Sequence, residues 1–456
     1  MSAIAEMVEG AGAAALARAP WRDPAEVASA FADQPFALAL LSGGGGRWSY
    51  LMRAPARVLL LPSGDAGAWS AVAELLGPPL AGVADAPPFH GGVAGFAAYE
   101  LGAHAESSVP WRQRPGWPDL AAGLYLAVLA FDHETRRVIG VGRGPDQATA
   151  DRRAAEALSW LAAAGPPAPP GPLAEGFAPI GSGADYEAAV VAVTGAIAEG
   201  EVFQANIARS WAGRLRDGAR PFDLVSRLLA SSPAPFASYM RLPGRAVVSN
   251  SPERFLCVSP GGRVEAQPIK GTRPRGADPG QDAALARDLL ASAKDRAENL
   301  MIVDLMRNDL SRVCAPGTVR AAPLFALESF ANVHHLVSTV TGQLAPGRTA
   351  LDLMRAAFPP GSITGAPKVQ AMRVIDRHEA PRGAYCGSLF WAGFDGALDS
   401  SVLIRTLQFE EDAGGGWSFE ARAGAGIVAD SQPAAEREET EAKIAALAAA
   451  LTGEAP

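Results

Sequence analysis

One lysine has a residue type and a setting that point directly to chemistry. Lys270 lies in residues 268–276, a short segment that also contains two prolines and two glycines. A lysine amine that is shielded from water has a lowered pKa and can attack carbon. Most lysines are exposed, so this position taken alone is more typical of a solvated turn. Its interpretation therefore depends on the other polar residues of the chain.

Two pairs of carboxylates share a spacing that could bind a hard cation. Asp295 and Glu298 are three residues apart in one helical pattern, and Glu436 and Glu439 repeat this spacing in another. Residues at i and i+3 share one face of a helix. If both faces met in a cleft, their oxygens would suit Mg²⁺, which uses one or two carboxylates with water and substrate oxygens. Two solvated helix faces are the commoner meaning of this spacing, and Lys443 forms an ordinary i, i+4 pair with Glu439.

Two glycine-rich segments could let a ligand approach the backbone. Residues 361–368 lack the spacing of a phosphate loop, but their amides and the hydroxyls of Ser362 and Thr364 could bind a carboxylate. Gly424 and Gly426 lack the third glycine of a dinucleotide-binding fingerprint. We expect them instead where a ligand lies close to the backbone.

A histidine pair and an arginine complete the polar candidates. His334 and His335 are adjacent in an extended pattern, so only one can face a given cleft, and a buried structural histidine is the ordinary interpretation. Arg405 lies among apolar residues and needs an anionic partner. A bound carboxylate ligand and a structural Asp or Glu explain it equally well.

Composition excludes several classes of protein. A chain of 456 residues with 48 % hydrophobic residues can bury a large core, in one large domain or in two to three smaller ones. The net charge of −8 and the pI near 5.4 argue against a surface for nucleic acid or anionic membrane. Three scattered cysteines indicate a reducing compartment without a disulfide framework. Without a basic and apolar leader or a long apolar run, we expect a soluble, cytoplasmic protein.

The order of elements predicts an α+β fold. Residues 163–183 contain six prolines, which is typical of an extended connector. We therefore divide the chain into an N-terminal region (1–165), a connector (166–183) and a C-terminal region (184–452). Strand patterns occur in runs, including one over residues 400–409, with a long helical stretch at 282–310. Strands in blocks with helices between the blocks favour antiparallel sheets.

Taken in chain order, these segments resemble the chorismate-utilising enzyme family. Each motif alone is modest, but the ordered set is specific and covers about residues 186–451. The motifs lie at residues 201–206, 251–255, 268–276, 298–309, 335–338, 361–368, 422–428 and 436–443.

The resemblance implies a fold with two antiparallel β-sheets packed face to face as a sandwich, with helices outside and the N-terminal region in the same body. Relatives bind tryptophan near two segments of that body. Here the first, at residues 40–42, lacks its acidic residue, whereas the second, at residues 233–236, is intact. The resemblance therefore does not carry tryptophan binding over to this chain.

Two positions discriminate among the reactions of the family. Members that add water carry a lysine as base where this chain has Gln204, and a glutamine cannot act as a base near pH 7. The resemblance thus implies an ammonia-using member. Members that form anthranilate carry alanine at the position of Lys270, and members that form 4-amino-4-deoxychorismate, for 4-aminobenzoate and folate, carry lysine. An anthranilate-forming enzyme and a non-catalytic chorismate-binding subunit are the rival interpretations.

The resemblance also implies roles for individual residues. Lys270 would add to ring carbon 2 of chorismate, Glu253 would be general acid and base, and His335 would flank the departing hydroxyl. Glu298 and Glu439 match Mg²⁺ ligands, supported by Asp295 and Glu436. Positions matching substrate-binding residues are Gln204, Thr364, Gly365, Tyr385, Arg405, Gly424 and Lys443.

The resemblance implies a partner as well. No segment reads as a glutaminase domain, so ammonia would come from a glutamine amidotransferase subunit or from solution.

Overall fold

The computed structural model describes residues 11–43, 45–62, 67–106, 108–109, 112–329 and 333–453. The strands within these ranges are β1 (Ala13–Pro20), β2 (Leu38–Leu41), β3 (Trp48–Met52), β4 (Arg57–Leu61), β5 (Gly92–Ala97), β6 (Leu120–Tyr125), β7 (Ala127–Asp132), β8 (Arg137–Gly144), β9 (Ala178–Ile180), β10 (Gln204–Arg214), β11 (Phe236–Leu242), β12 (Arg245–Ser251), β13 (Arg254–Val258), β14 (Arg263–Ala266), β15 (Ile269–Pro274), β16 (Arg320–Ala321), β17 (Ala326–Ser329), β18 (Val333–Val337), β19 (Val340–Gln343), β20 (Gly365–Ala366), β21 (Ser388–Gly393), β22 (Leu398–Val402), β23 (Thr406–Glu411) and β24 (Trp417–Ile427).

The α-helices of the same ranges are α1 (Pro24–Ser29), α2 (Ala68–Leu76), α3 (Gln147–Ser159), α4 (Gly183–Ala198), α5 (Pro221–Ser231), α6 (Pro279–Ala291), α7 (Ala293–Ser311), α8 (Ala350–Ala357), α9 (Lys368–His378) and α10 (Pro433–Thr452). Short 3₁₀ helices lie at Tyr99–Ala105, Trp160–Ala162 and Gly361–Ile363. In the part of the chain that the structure describes, no helix has the length and apolar character needed to cross a bilayer.

The strands form three antiparallel sheets, as the α+β prediction expects. A 12-stranded sheet has the order β1-β8-β7-β3-β2-β11-β12-β23-β24-β10-β20, with β9 beside β10. A 9-stranded sheet has the order β16-β19-β14-β13-β22-β21-β5-β6-β4, and β15, β18 and β17 form a small 3-stranded sheet. Strands from before and after the proline-rich connector are neighbours in both large sheets: β2 pairs with β11, and β5 pairs with β21.

The core follows from the alternation of buried side chains along these strands. One cluster joins residues of the 12-stranded sheet, such as Leu38 and Met240, with residues of the 9-stranded sheet, such as Phe96 and Leu389. Two further clusters join strand residues with apolar residues of the helices. Burying each such side chain contributes roughly 1.5–3 kcal/mol, so the contact between the sheets is a major source of stability.

The helical stretch predicted at residues 282–310 is divided into two helices. Ser292 has an extended backbone (φ −62°, ψ 108°) and ends α6. Its hydroxyl then accepts a hydrogen bond from the backbone N–H of Asp295 at 3.2 Å and caps α7. A serine that satisfies an otherwise unpaired amide favours a new helix start over continuation of the old helix. This break places the first turn of α7 against β15, where Gly271 adopts a positive φ of 86°.

The single strand predicted at residues 400–409 is also divided. β22 pairs with β21 in the 9-stranded sheet, whereas β23 pairs with β12 in the 12-stranded sheet. Arg405 lies between them with a φ of 53°, a conformation that few non-glycine residues adopt. The chain therefore crosses from one large sheet to the other at Arg405.

Candidate active site

Two glycines and two carboxamides form the floor of the site. Asn206 of β10 pairs with Gly426 of β24, and Gln204 and Asn206 face the same side because residues alternate along a strand. A Cβ atom on Gly426 would lie 2.1 Å from Gln204 Nε2 and 3.7 Å from Lys270 Nζ, and one on Gly424 would lie 2.7 Å from Asn206 Oδ1. We call these four residues the glycine floor. Only glycine allows the carboxamides and the lysine to approach the β24 backbone so closely.

Lys270 reaches the glycine floor from the small sheet. It belongs to β15, and its Nζ donates a hydrogen bond to the carbonyl of Ser362 at 3.2 Å. Burial lowers the pKa of Lys270, and the nearby Lys443 lowers it further, against the attraction of Glu298 and other carboxylates. A larger fraction of its amine is therefore neutral than in a solvated lysine, as a nucleophile requires.

Glu253 is the complementary acid. It follows β12 and is only 6 % exposed, and within the described part of the chain its Oε1 has no hydrogen-bond partner. Burial raises the pKa of Glu253, opposed by Ser362 and Lys270. A carboxyl group whose pKa is raised by burial thus lies near an amine whose pKa is lowered by burial, which suits general acid catalysis beside a nucleophile.

The two adjacent histidines face opposite sides of β18. His335 Nδ1 lies 2.9 Å from the hydroxyl oxygen of Thr272, and burial together with Arg405 lowers the pKa of His335 to about 4. His335 is therefore neutral at physiological pH. His334 is buried, with its ring nitrogens 2.7 Å from Ser329 Oγ and 2.9 Å from Asp282 Oδ1. His334 is thus a structural residue.

Arg405 presents a partly buried cation without a described counter-ion. Burial lowers the pKa of Arg405, partly offset by Tyr385, which lies close to it. Among the residues that the structure describes, no Asp or Glu forms an ion pair with Arg405. Of the two explanations that the sequence left open, the structural carboxylate has no support here. An anionic ligand would satisfy this guanidinium in a bidentate fork.

Thr364 and Gly365 tie the 361–365 loop to the glycine floor. The hydroxyl of Thr364 donates to the carbonyl of Pro360 at 2.8 Å, and its carbonyl accepts from the backbone N–H of Asn206 at 2.9 Å. Gly365 has a φ of 135°, and a Cβ there would lie 2.1 Å from the backbone oxygen of Gln204. The Thr364 hydroxyl is therefore already engaged inside the protein, and both residues position the loop.

Lys443 joins α10 to the glycine floor. Its Nζ lies 2.6 Å from Glu439 Oε1 and donates to the carbonyl of Gly424 at 2.8 Å. Partial removal from water would raise the pKa of Glu439, but this ion pair and the proximity to Lys270 lower it, and the side chain remains half-exposed. Glu298 of α7 faces the same region, because Lys270 and Glu439 both act on its carboxylate. Burial raises the pKa of Glu298, Lys270 lowers it, and Glu439 raises it further. Two carboxylates from two helices therefore influence each other across the site.

The other two predicted metal residues are less available. Asp295 forms an ion pair with Arg273 at 3.1 Å. Glu436 is 7 % exposed, and burial raises its pKa despite Ser431, with Glu439 raising it further. Over the described ranges, no group of three or more His, Cys, Asp or Glu side chains is arranged to hold a metal ion. Glu298 and Glu439 are the two whose charges act on each other across the site, although Glu439 also pairs with Lys443.

Sequence reasoning did not assign a role to Asn206 and Arg382, which lie around the site. Among the described residues, Asn206 Oδ1 and the hydroxyl of Ser362, a predicted carboxylate-binding group, are buried without hydrogen-bond partners. Arg382 is 1 % exposed, pairs with Glu379 at 2.7 Å, and donates to the carbonyls of Asn206 at 2.7 Å and Ile363 at 3.1 Å. The i, i+3 spacing of Glu379 and Arg382 was visible in the sequence, but its burial was not.

A cavity separate from the glycine floor lies beside the small sheet. The two segments that the family resemblance associates with tryptophan meet in its wall, through Leu40, Ser42 and Pro235. The cavity has a volume of about 840 Å³ and also touches Ile269, the neighbour of Lys270. The structure therefore brings these two distant segments together.

Comparison with known proteins identifies the family. The model of the family described as "chorismate binding enzyme" matches residues 37–449. The chain is 43 % identical over 364 residues to aminodeoxychorismate synthase component 1 of Klebsiella aerogenes, covering 78 % of this chain and 76 % of the relative. It is 40 % identical over 433 residues to anthranilate synthase component 1 of Streptomyces coelicolor, covering 90 % and 82 %.

Solved structures agree. The crystal structure of anthranilate synthase component I from Streptococcus pneumoniae matches with a TM-score of 0.77 and 27 % identity, covering 88 % of this chain and 92 % of that one. The menaquinone-specific isochorismate synthase of Escherichia coli, at 16 % identity and a TM-score of 0.72, covers 99 % of both chains and shows the shared fold. On these matches, the chain belongs to the chorismate binding enzyme family.

Proposed function

We propose that this enzyme converts chorismate and ammonia to 4-amino-4-deoxychorismate, the precursor of 4-aminobenzoate. One observation carries the proposal: a partly buried lysine with a lowered pKa lies over the glycine floor, near a buried carboxyl group with a raised pKa. Relatives named aminodeoxychorismate synthase component 1 support it.

The first half of the reaction uses both groups. The neutral amine of Lys270 forms a bond to ring carbon 2 of chorismate. The two ring double bonds shift, and the bond between carbon 4 and its hydroxyl breaks. Glu253 donates its proton to the departing oxygen, which leaves as water. The product is a covalent adduct in which the Lys270 nitrogen keeps its two protons and carries a positive charge, so that it can later leave as a neutral amine.

The second half reverses the shift. Ammonia forms a bond to carbon 4, the double bonds return to their original positions, and the bond from carbon 2 to Lys270 breaks. The proton that the new amine must lose passes to the carboxylate of Glu253, which restores its acid form. Gln204 cannot remove a proton from water, so the floor carries no base that would favour hydroxylation.

Cationic groups around the floor suit a substrate with two carboxylates. Arg405 is partly buried without a described counter-ion, and Lys443 holds its amine against the carbonyl of Gly424. We propose that these two bind the carboxylates, with Tyr385 beside Arg405. His335, neutral at physiological pH, would lie beside the hydroxyl at carbon 4 as a hydrogen-bonding group without charge.

The acidic residues fit a bound Mg²⁺. Glu298 and Glu439 repel each other across the site, and this repulsion is relieved by a cation between them. We propose that these two residues hold Mg²⁺, with Glu436 behind them and Asp295 held by Arg273. When bound, Mg²⁺ would neutralise the ring carboxylate of the substrate.

The rival reaction, formation of anthranilate, keeps support from the 40 % identity to anthranilate synthase component 1 of Streptomyces coelicolor. In that reaction ammonia adds to carbon 2 itself, and no covalent lysine is needed. The presence and burial of Lys270 favour the first reaction, because a buried amine near carbon 2 would occupy the place of ammonia.

Three further proposals concern the whole protein. We propose that ammonia reaches the site from a glutamine amidotransferase subunit, since the relatives are named as component 1 of an assembly. We propose that the two large sheets pack face to face, supported by the cluster that contains residues of both. We propose that residues 184–452 carry the chemistry, because every site residue named above lies in that range, and that the protein works in the cytoplasm, because its three cysteines are free.

The test is incubation of the purified chain with chorismate, ammonium and Mg²⁺, with products identified by mass. We expect 4-amino-4-deoxychorismate, which an added aminodeoxychorismate lyase converts to 4-aminobenzoate. Lys270→Ala should lower its formation by at least about 1,000-fold, the range for loss of a nucleophile. Fluorescent 2-aminobenzoate as the main product of the unaltered chain would contradict the proposal.

A further inference from the structure

The glycine floor offers more buried acceptors than chorismate can satisfy. Both oxygens of its carboxamides, Gln204 Oε1 and Asn206 Oδ1, are buried without hydrogen-bond partners among the residues that the structure describes. Chorismate has two carboxylates, an ether oxygen and one hydroxyl, so the hydroxyl is its single donor. Buried acceptors are normally paired in a functional complex. Ammonia, with three N–H donors, is the other reactant of the proposed function and can supply the missing ones.

The two carboxamides have different neighbours. Gln204 faces Gly426, and the same glycine is the floor beneath Lys270 Nζ. Asn206 Oδ1 instead faces Gly424, one residue pair further along β24. Residues two apart on a strand are separated by about 6.6 Å. The amine of Lys270 and a small molecule at Asn206 would therefore occupy separate places on the floor.

Asn206 is held firmly for such a role. Its backbone N–H donates to the carbonyl of Thr364 at 2.9 Å, and its carbonyl accepts from the buried guanidinium of Arg382 at 2.7 Å. Only 6 % of the residue is exposed. Because Gly424 has no Cβ, which would lie 2.7 Å from Oδ1, the carboxamide oxygen can approach the backbone of β24.

We propose that Asn206 Oδ1 accepts a hydrogen bond from the ammonia molecule that attacks ring carbon 4, while Gln204 faces the Lys270 amine. This inference rests on the proposed function and assigns the nucleophile of its second half a binding place. Ammonia forms the bond to carbon 4 as the bond from carbon 2 to Lys270 breaks, and the proton released goes to Glu253. Asn206 orients the lone pair of ammonia by holding one of its N–H groups.

The experiment separates the two halves of the reaction. Chorismate without ammonia is mixed with each variant, and the covalent adduct on Lys270 is measured by intact mass. The Michaelis constants for ammonium and for chorismate are then measured at one pH. The variants are Asn206→Leu, which removes the acceptor at similar size, and Asn206→Asp, which keeps it. The control is Asn250→Leu, because Asn250 is also 6 % exposed with an unpaired Oδ1 and bonds to Ser232 instead.

We expect Asn206→Leu to form the adduct normally and to raise the Michaelis constant for ammonium by about tenfold or more, with that for chorismate unchanged. Asn206→Asp and Asn250→Leu should stay within about threefold of the unaltered chain for ammonium.

Two results would overturn the inference while leaving the proposed function intact. One is an unchanged constant for ammonium in an Asn206→Leu variant that forms the adduct, and the other is a parallel rise for both substrates. If Asn206→Leu does not fold, Asn206→Asp provides the test, because it keeps the acceptor oxygen. A large rise in the Michaelis constant for ammonium in an Asn206→Asp variant that forms the adduct would also overturn the inference. Absence of the adduct from the unaltered chain would instead refute the proposed function and, with it, this role of Asn206.

Discussion

The change of Gly426 to alanine tests the geometry of the glycine floor with one methyl group. The new Cβ would lie 2.1 Å from Gln204 Nε2, whereas non-bonded contacts need at least about 3 Å, so the carboxamide must retreat by about 0.9 Å. Gln204 is completely buried, which leaves it little room to move. Overpacking of this kind costs roughly 1–3 kcal/mol of unfolding free energy. Lys270 Nζ, at 3.7 Å, would stay in ordinary contact.

The effect on catalysis should exceed the effect on stability. A displacement of about 1 Å in a group that positions reactants can cost about 100-fold in rate. We therefore expect Gly426→Ala to lower kcat/KM for chorismate by about 100-fold, measured by product formation at saturating ammonium. Denaturant unfolding measured in parallel should show a loss of no more than about 3 kcal/mol.

Gly195→Ala is the matched control, because nothing lies within 4 Å of a Cβ at this position of α4. It should leave kcat/KM unchanged and stabilise the protein by about 0.5–1 kcal/mol, since alanine is the better helix former. If Gly426→Ala retained full activity, Gln204 would have no positional role, and the description of the floor as a close-packed surface would be wrong.

Three further predictions follow from the charged groups of the site. First, kcat/KM should rise with pH as Lys270 loses its proton, with a pKa below the ordinary value of 10.5. It should fall as Glu253 loses its proton, with a pKa above the ordinary value of 4.5. The variant Glu253→Gln should abolish this fall in the measured pH profile. Second, the pKa of His335 is about 4 in the folded protein and 6.5 in an unfolded chain. Between these pH values the unfolded state therefore binds more protons than the folded state. The stabilisation that is present above pH 6.5 is lost as the pH falls toward 4. Its size is about 3 kcal/mol, and denaturant unfolding of His335→Gln should show a shallower dependence on pH; equal slopes would disprove it. Third, Arg405→Met should raise the Michaelis constant for chorismate about 10- to 100-fold without lowering the melting temperature, because it removes a charge-assisted contact to the ligand together with an uncompensated buried charge. A normal Michaelis constant in this variant would remove Arg405 from the substrate site.

Sequence reasoning could assemble the site but not its geometry. Lys270, Glu253 and His335 lie in short motifs whose order is specific, so a resemblance could relate them before any fold was known. Two breaks escaped detection. Ser292 and Arg405 change the direction of the chain through their own backbone conformations, which a pattern of apolar residues does not encode.

The pairing of strands that are distant in the chain also could not be predicted from the sequence. The proline-rich connector separates β2 from β11 in the sequence, yet the two strands are neighbours in one sheet. Alternation along a strand indicates which face is buried, but it does not name the partner strand. For the same reason the sequence could not show that the side chain of Asn206 lies against Gly424, and Asn206 received no role of its own.

The position of Arg405 has a consequence for how the enzyme responds to its substrate. This residue lies where the backbone leaves one large sheet for the other, in a left-handed conformation, with its guanidinium unpaired by any described carboxylate. An anion bound there supplies the missing counter-charge to the crossing itself. Chorismate would then link the two sheets through this residue. The free energy of unfolding should rise with the chorismate concentration by RT ln(1 + [L]/Kd), so that more heat is needed to separate the sheets.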